Sequence, residues 1–287
     1  MKLVSYERDG VASFGLVVDG GLVDLPSRSG RSPELGQALA EGELAELAQF
    51  GGIDPDFLIE SVKILPAVPR PGKIIGVGLN YRVHAAETGK DLPSYPTLFV
   101  RFADSLVGHR TPLTCPAASH RFDYEGELAV IMGRPARHVD RARALEFVAG
   151  YTCFNDATVR DWQGHTTQFT PGKNFMGSGS MGPFLTTADE IPDPSTLTLT
   201  TRFNGLVVQQ ASTGEMIFDV PSLIEYISAF TQLMPGDVIA TGTPAGVGYR
   251  RQPRLYMKEG DVVEVEIDGI GTLSNPVVLE AVQAENQ

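Results

Sequence analysis

The alternation of apolar and polar positions along the chain predicts many short strands. Phe14, Leu16 and Val18 alternate with smaller or polar residues and precede the turn-forming Asp19-Gly20-Gly21, so residues 2–25 are predicted to form short strands around a turn. Further apolar runs, bounded by turn signals such as Asn204-Gly205 and Asp268-Gly269, predict strands at Lys73–Gly78, Thr97–Phe102, Glu125–Met132, Leu197–Phe203, Leu206–Gln209, Asp237–Thr241 and Asp261–Ile267.

Helical periodicity is confined to a few segments. Ser32 fits an N-cap and Pro33 a first-turn position, and the apolar stripe of this predicted helix continues to Phe50, just before Gly51-Gly52. Many strands with few helices predict a mainly β fold with α elements, of the α+β class, and not alternating parallel βαβ units. The other predicted helices are Tyr81–Glu87, Arg141–Val148 and Pro221–Phe230.

A proline-rich segment suggests how the chain is divided. Leu65–Pro71 contains three prolines, a pattern typical of an extended connector because proline fixes the backbone and removes a hydrogen-bond donor. The 287 residues are enough for one large domain or for a main domain with a smaller companion. We therefore predict a small N-terminal α+β domain at residues 1–68 and a main domain at residues 69–287.

Composition and charge exclude several classes of protein. With 42% apolar residues the chain can bury a sizeable core, and its net charge of −12 disfavours binding to nucleic acid or to an anionic membrane. No apolar stretch approaches the roughly 20 residues that span a bilayer. Cys115 and Cys153 are too few for a disulfide scaffold, so a cytoplasmic location is expected.

Two glutamates at the start of a predicted strand are the first candidates for chemistry. Glu125 and Glu127 are two residues apart, so on a strand they point to the same face, and an apolar run follows them. Two carboxylates about 5 Å apart repel by roughly 3 kcal/mol at an effective dielectric constant near 20. Burial raises that cost unless a cation or a proton lies between them. The alternative is a sheet edge where both glutamates face water.

A third carboxylate follows another short apolar run. Asp156 ends the segment Gly150–Asp156, where it could also serve only as the N-cap of a helix. If it converges with Glu125 and Glu127, the three form an all-oxygen site without sulfur or imidazole. Such a donor set suits Mg²⁺ or Mn²⁺, with Ca²⁺ less suited to a small pocket.

Several motifs, in a fixed order, resemble the fumarylacetoacetate hydrolase family. The resemblance covers roughly residues 70 to 278 and is closest to the short bacterial type. The motifs that carry it are Gly78–Glu87, the Glu125-Gly126-Glu127 strand, Asn155-Asp156, Arg160–Gln163, Pro171–Phe175, Met181–Pro183, Pro235–Gly248 and Gly260–Val263.

The resemblance implies a fold, an assembly and a metal site. It implies a catalytic domain with a distorted β-roll, which is a mixed β-sandwich, and a homodimer. It also implies Mg²⁺ or Mn²⁺ held by Glu125, Glu127 and Asp156. Larger members have a fourth carboxylate ligand near the start of the domain, but the matching region here is Leu79-Asn80-Tyr81, so three ligands are carried over. Members cleave C–C bonds in 1,3-dicarbonyl acids, decarboxylate oxaloacetate or isomerise related enols.

His84 and Glu87 are the candidates for activating water. Three residues apart on a helix, their side chains share a face, so the carboxylate could hold the imidazole tautomer while the other ring nitrogen takes a proton from water. The alternative is that the two residues form a pair on the surface of the helix without a catalytic role. The metal would act as a Lewis acid that stabilises the enolate leaving group.

The remaining site candidates would contact the substrate. Lys173, aided by the Gln163 amide, could stabilise the oxyanion of the attacked carbonyl, or it could be a solvated loop lysine. Thr243 lies in a glycine-rich turn that could bind the substrate carboxylate or be purely structural. Arg160 could meet a substrate carboxylate or pair with an acid of the protein, and Tyr81 is a further candidate for substrate binding.

We therefore expect a hydrolase that cleaves a 2,4-dioxo acid of the acylpyruvate type, such as fumarylpyruvate or maleylpyruvate. The alternatives are an oxaloacetate decarboxylase or an enol–keto isomerase with the same metal site, and a catalytically silent homologue that binds a small acid. Two positions depart from the family pattern near the expected pocket. Many relatives have Lys-Pro where this chain has Arg101-Phe102. An aspartate that is common soon after the Lys-x-Phe segment is absent here, where Met176 follows Phe175.

Overall fold

The computed structural model describes residues 1–42, 44–87 and 92–281. In the first third of the chain, short strands alternate with short helices. These elements are β1 (Lys2–Arg8), β2 (Val11–Val18), β3 (Gly21–Asp24), α1 (Leu25–Ser29), α2 (Leu35–Ala40), α3 (Leu44–Leu47), β4 (Phe57–Leu58), β5 (Lys63–Ile64), β6 (Ile74–Gly78), α4 (Arg82–Glu87) and β7 (Thr97–Arg101).

The rest of the chain is dominated by strands. They are interrupted by two short helices near the middle and one longer helix. The elements are β8 (Leu106–Val107), β9 (Leu113–Cys115), β10 (Phe122–Asp123), β11 (Gly126–Met132), β12 (Val148–Asn155), β13 (Thr158–Val159), α5 (Arg160–Gln163), α6 (Thr170–Lys173), β14 (Gly179–Thr187), β15 (Thr198–Phe203), β16 (Leu206–Ser212), α7 (Val220–Phe230), β17 (Val238–Ala240), β18 (Val262–Ile267) and β19 (Gly271–Leu279).

Within the described ranges, twelve of these strands form one mixed sheet. Ten of them follow the order β4-β3-β2-β1-β14-β12-β11-β17-β6-β7, while β5 pairs with β1 and β8 with β14. A second sheet has five strands in the order β16-β15-β18-β19-β9. The N-terminal strands join the large sheet where β1 pairs with β14, with Leu3 opposite Leu185. The division at residue 68 therefore stays a prediction about domain organisation.

Strand β11 lies at the centre of the large sheet and is buried over its whole length. Leu128, Val130 and Met132 pack into one apolar cluster together with α7. Ala129 and Ile131 point the other way, into a second cluster that includes residues of the N-terminal strands. Because both faces of β11 are covered, its sequence is a continuous apolar run and does not alternate. The two glutamates at its beginning are thus held by a strand that is packed on both sides.

The expected fold class is confirmed, since the molecule is a mixed structure made mainly of strands with short helices. Among the described helices, none combines the length and the apolar character needed to cross a bilayer.

Two of the predicted helices are corrected by the structure. The helix expected from Ser32 to Phe50 is divided into α2, α3 and a 3₁₀ turn at Ala48–Gly52, because Gly42 adopts a left-handed conformation with φ of 76° and ends the first piece. Its N-cap is Glu34, not Ser32. The helix expected at Arg141–Val148 is a 3₁₀ helix over Arg141–Phe147, after which β12 begins at Val148.

The pairing of β12 with β14 predicts a sensitive position at Gly150. A Cβ atom there would overlap the Thr186 carbonyl and lie 2.9 Å from the Thr187 Cα, both backbone atoms of the neighbouring strand. We expect Gly150→Ala to lower the free energy of unfolding by about 1–3 kcal/mol, measured by urea titration. Gly36→Ala is the control. Gly36 lies in helix α2, and the nearest atom to its new methyl group would be the Val68 Cγ1 at 3.8 Å. That variant should be as stable as the wild type or more stable. Equal destabilisation by both variants would contradict the packing argument.

Candidate active site

A cavity of about 530 Å³ opens beside the beginning of β11. Apolar side chains such as Phe99 and Phe169 form part of its wall, and polar and charged side chains form the rest. This combination is typical of a site that binds a small organic molecule and orients it through a few polar groups. The predicted site residues on the wall are His84, Glu125, Glu127, Arg160, Gln163, Lys173 and Thr243.

The three predicted metal ligands converge at one end of β11 and β12. The register pairs Gly126 with Asn155, so Glu125 and Asp156 lie opposite each other just outside the two strands. The Asp156 amide donates to the Glu125 carbonyl at 2.8 Å, which locks this pair. One carboxylate oxygen from each of Glu125, Glu127 and Asp156 lies within 4.8 Å of the other two.

Burial and position exclude the alternative interpretations of these carboxylates, a solvated sheet edge and a helix N-cap. Glu125 is 6% exposed, Glu127 is 1% exposed and Asp156 is fully buried, so none of them lies on a solvated sheet edge. Nor is Asp156 a helix N-cap, since the next helix, α5, begins at Arg160 with Val159 as its N-cap.

Three buried cations face these carboxylates. Lys173 Nζ donates to Glu125 Oε2 at 2.7 Å and also contacts Asp156 Oδ2. Arg101 Nη1 donates to Asp156 Oδ1 at 2.6 Å. Arg160 bridges Glu125 Oε1 at 2.6 Å and the buried carboxylate of Asp123 at 2.7 Å. The alternative of a solvated Lys173 is thereby excluded, because the residue is 1% exposed.

The cations are distributed unequally, and the pKa values follow that distribution. Burial alone would raise the pKa of Glu125, but Lys173 and Arg160 lower it to about 2. The donor to Glu127 among the described residues is a backbone group, the Gly242 amide at 2.8 Å. Burial, followed by the charges of Asp156 and Glu125, therefore raises the pKa of Glu127 well above its usual value.

The donor set fits a hard divalent cation. All three side chains offer carboxylate oxygen, the ligand type that Mg²⁺ and Mn²⁺ prefer. Four carboxylates, counting Asp123, meet three cations here, so the cluster carries a net negative charge when all of them are ionised. A dication is the kind of partner that would relieve the mutual repulsion around Glu127.

His84 and Glu87 form the pair that their spacing predicts. His84 Nδ1 lies 3.0 Å from Glu87 Oε2 on helix α4, and His84 is only 7% exposed. Burial opposes the ionised form of Glu87, but the hydrogen bond with His84 lowers the pKa of Glu87 below its usual value. Glu87 Oε1 also accepts from the Gly246 amide at 3.4 Å. Since Nδ1 is engaged, Nε2 is the nitrogen that can exchange a proton in the cavity.

Arg160 and Gln163 present polar groups to the cavity. Gln163 Oε1 accepts from Arg160 Nη1 at 3.0 Å, which leaves the amide nitrogen of Gln163 as the group that can donate to a ligand. Arg160 Nη2 is buried and has no hydrogen-bond partner within the part of the chain that the structure describes. Because an unpaired buried donor is costly, this nitrogen suits an anionic ligand in the cavity.

Thr243 and Tyr81 lie in different surroundings. The Thr243 hydroxyl donates to the Gly126 carbonyl at 2.9 Å and accepts from Gln209 at 2.8 Å, so it also braces the beginning of β11. Tyr81 is 1% exposed, belongs to the apolar core cluster and is not part of the cavity wall. Direct contact between Tyr81 and a ligand in this cavity therefore lacks support from its position.

Two further residues take part in the site. Asp123 accepts from Arg160 and from the amides of Gly248 and Tyr249, and so anchors the arginine next to Glu125. The signal for Asp123 is its spacing, because it precedes Glu125 by two residues. Arg101, which pairs with Asp156, follows a strand pattern, but nothing in its local sequence indicates a carboxylate 55 residues away as its partner.

Comparison with known proteins agrees with this geometry. The sequence model of the fumarylacetoacetate (FAA) hydrolase C-terminal family matches residues 73–278. The chain is 38% identical to the mitochondrial oxaloacetate tautomerase fahd2 of Xenopus laevis, over 97% of this chain and 90% of that protein.

Two solved structures share the whole fold. The 5-carboxymethyl-2-hydroxymuconate delta-isomerase from Mycobacterium smegmatis superposes with a TM-score of 0.78 at 34% identity, covering 98% of this chain and 100% of the other. The maleylpyruvate hydrolase from Sphingobium sp. SYK-6, in complex with manganese(II) and pyruvate, gives a TM-score of 0.82 at 28% identity and covers 97% and 99%. The chain therefore belongs to the fumarylacetoacetate hydrolase family, whose members with similar structures include hydrolases and isomerases.

Proposed function

We propose that the protein is a divalent-metal-dependent hydrolase that cleaves a C–C bond in a 2,4-dioxo acid of the acylpyruvate type. Fumarylpyruvate and maleylpyruvate are examples of such substrates. The observation that carries the proposal is that His84, paired with Glu87, and the carboxylates Glu125 and Glu127 line the same cavity. A side chain that can activate water and two of the proposed metal ligands would therefore face a molecule bound in this cavity.

Glu125, Glu127 and Asp156 would hold Mg²⁺ or Mn²⁺. Support comes from their all-oxygen donor set, from their burial, and from the similar maleylpyruvate hydrolase, which was solved with manganese(II) and pyruvate. When bound, the dication would supply Lewis-acid chemistry at the 2-oxo acid group of the substrate.

The side chains of the protein would carry the proton transfers. His84 Nε2 takes a proton from water while Glu87 holds the imidazole tautomer. The water oxygen forms a bond to the acyl carbon, and the π electrons of the C=O bond move to the carbonyl oxygen. The C=O bond then re-forms as the C–C bond breaks, and the electron pair of the C–C bond moves to the methylene carbon, which gives the enolate of pyruvate. Return of the proton from His84 to that carbon gives pyruvate and the free carboxylic acid.

Four further residues would bind and orient the substrate. Arg160 Nη2 and the Gln163 amide nitrogen are donors on the cavity wall. Lys173, which contacts Glu125, would stabilise the negative charge that develops on the attacked carbonyl oxygen. Thr243 is on the cavity wall, where its glycine-rich turn would donate hydrogen bonds to the substrate carboxylate. The predicted role of Tyr81 in binding is not carried further, since that residue lies in the core.

A second candidate is enol–keto isomerisation or decarboxylation of oxaloacetate. The isomerisation is favoured by the 38% identity to an oxaloacetate tautomerase over nearly the whole chain. This reaction needs the same metal site and a group that moves a proton at carbon, which His84 could also do, but it consumes no water.

The family resemblance further supports a homodimer, and two buried free cysteines suit a reducing cytoplasm.

Product analysis separates these reactions. The purified protein with Mn²⁺ or Mg²⁺ is offered fumarylpyruvate, maleylpyruvate and oxaloacetate. We expect pyruvate and one further carboxylic acid in equal amounts from an acylpyruvate. Release of carbon dioxide from oxaloacetate, or enol–keto exchange of oxaloacetate without hydrolysis of either acylpyruvate, would contradict the hydrolase and support the second candidate. Absence of turnover on all three substrates would support a silent homologue.

His84→Ala tests the proposed base. Because the imidazole is the proposed proton acceptor, we expect kcat for acylpyruvate hydrolysis to fall by about 10²–10⁴-fold. Glu87→Gln keeps a hydrogen-bond partner for Nδ1 but removes its charge, so a smaller loss is expected. Mn²⁺ binding, measured by calorimetry, should be retained in both variants. Full turnover by His84→Ala would refute the role.

Glu127→Gln tests the metal site through stability. Without metal this variant should be at least as stable as the wild type, because the change removes repulsion by Glu125 and Asp156. At a Mn²⁺ concentration of about 100 times Kd, the wild type gains roughly 2.7 kcal/mol, which corresponds to a rise in Tm of about 5 °C. We expect Glu127→Gln to lose that rise in differential scanning calorimetry.

The matched control is Glu264→Gln on β18, which changes a glutamate of the five-stranded sheet. It should keep the Mn²⁺-induced rise in Tm. Equal rises in the wild type and in Glu127→Gln would contradict the assignment of Glu127 as a ligand.

A further inference from the structure

Arg101 is the one cation of the buried cluster that does not line the cavity of the described residues. Its side chain is fully buried and lies behind Asp156 at the end of β7. It therefore does not contact a substrate in the cavity directly, and the group of the site that it contacts is the Asp156 carboxylate.

The guanidinium is held from several directions. Besides Asp156 Oδ1, Nη1 donates to the Ala157 carbonyl at 3.2 Å. Nε donates to the Ser105 hydroxyl at 3.2 Å and Nη2 to the Ser178 hydroxyl at 3.2 Å. Every nitrogen of the planar group thus has an acceptor, and these acceptors come from three separate segments of the chain.

The backbone also leaves room for this group. A Cβ atom on Gly179 would overlap Arg101 Nη2 and would lie 2.7 Å from its Cζ. The φ of Gly179 is not in the left-handed region, so the glycine is required here for space and not for its backbone conformation. The beginning of β14 is therefore shaped around the guanidinium.

We propose that Arg101 is a positioning residue that fixes the orientation of the Asp156 carboxylate and thereby strengthens the affinity of the site for a divalent metal. This inference rests on the proposed metal site. Arg101 holds Oδ1, so the carboxylate cannot rotate freely, and Oδ2 is kept towards Lys173 and Glu125. A ligand that is already oriented loses less conformational freedom on binding, and hydrogen bonds behind metal ligands usually affect affinity in this way.

A purely electrostatic role for Arg101 predicts the opposite sign. A positive charge behind a ligand repels an incoming dication, so its removal by itself would strengthen metal binding. Lysine would retain that charge but could not reproduce the planar fork, because its ammonium is a single point of donation. Three variants therefore separate orientation from charge: Arg101→Met, Arg101→Lys and Gly179→Ala.

The experiment measures Mn²⁺ affinity of the metal-stripped full-length protein by calorimetry and by electron paramagnetic resonance of free Mn²⁺. We expect Arg101→Met to weaken binding by about 10- to 100-fold. Gly179→Ala should also weaken it, since it displaces the guanidinium without changing any charge. Arg101→Lys should lie between these variants and the wild type.

Gly150→Ala is the matched control for general loosening. It is expected to destabilise the same sheet, but it places its methyl group against the backbone of β14, away from Arg101. Its Mn²⁺ affinity should equal that of the wild type. If it loses affinity as much as Gly179→Ala does, the effect comes from destabilisation and the proposal is overturned. Should Arg101→Met fail to fold, Gly179→Ala and Arg101→Lys decide the outcome.

Two other outcomes distinguish failure of the positioning role from failure of the proposed function. A wild type that binds Mn²⁺ together with Arg101 variants that bind it equally well, or more tightly, overturns the positioning role alone. A wild type that binds neither Mn²⁺ nor Mg²⁺ contradicts the proposed function itself, and the role of Arg101 falls with it.

Discussion

The structure depends on mutual neutralisation of buried charges at the end of β11. Each carboxylate of the cluster would be too costly to bury alone, and the nearby cations offset that cost in different amounts. Glu125 is contacted by Lys173 and Arg160, whereas among the described residues Glu127 receives only a backbone amide. When all the carboxylates are ionised, the negative charge is therefore least compensated at Glu127. A hard dication complements this uneven distribution better than another protein cation, because it can contact several oxygens at once.

The position of these charges is a consequence of packing. Strand β11 has an apolar cluster on each face, so neither its register nor its twist can shift without disturbing both clusters. The pairing of Gly126 with Asn155 then brings Glu125 and Asp156 together, although they are 31 positions apart in the sequence. A rigid, fully paired strand end holds ligands more accurately than a loop does, and accurate placement is what a metal site requires.

The sequence predicted those parts of the fold whose signals are local. The strands β11 and β18 and the Asn204-Gly205 hairpin show clear runs or turns, and the fold class followed from them. Strand β14 was missed because Gly179 and Pro183 argue against a strand unless the neighbours are known. In the site, i and i+2 spacing placed Glu125 and Glu127 together, but only the resemblance linked them to Asp156. The pairing of Arg101 with Asp156 depends on tertiary packing, which no local pattern encodes.

The chemistry that separates a hydrolase from a tautomerase lies outside the buried charges. Both reactions would use the same carboxylates and the same proton acceptor, His84, and they differ in whether a water molecule reaches the acyl carbon. Such access would depend on the cavity wall, which presents the aromatic rings of Phe99 and Phe169 and the hydroxyl groups of Thr166 and Thr167. Thr166 and Thr167 are exposed, and substitutions at these two positions leave the strand ends and their charges intact. One rigid charged centre would therefore serve several reactions within a family, with the choice made by exposed side chains around it.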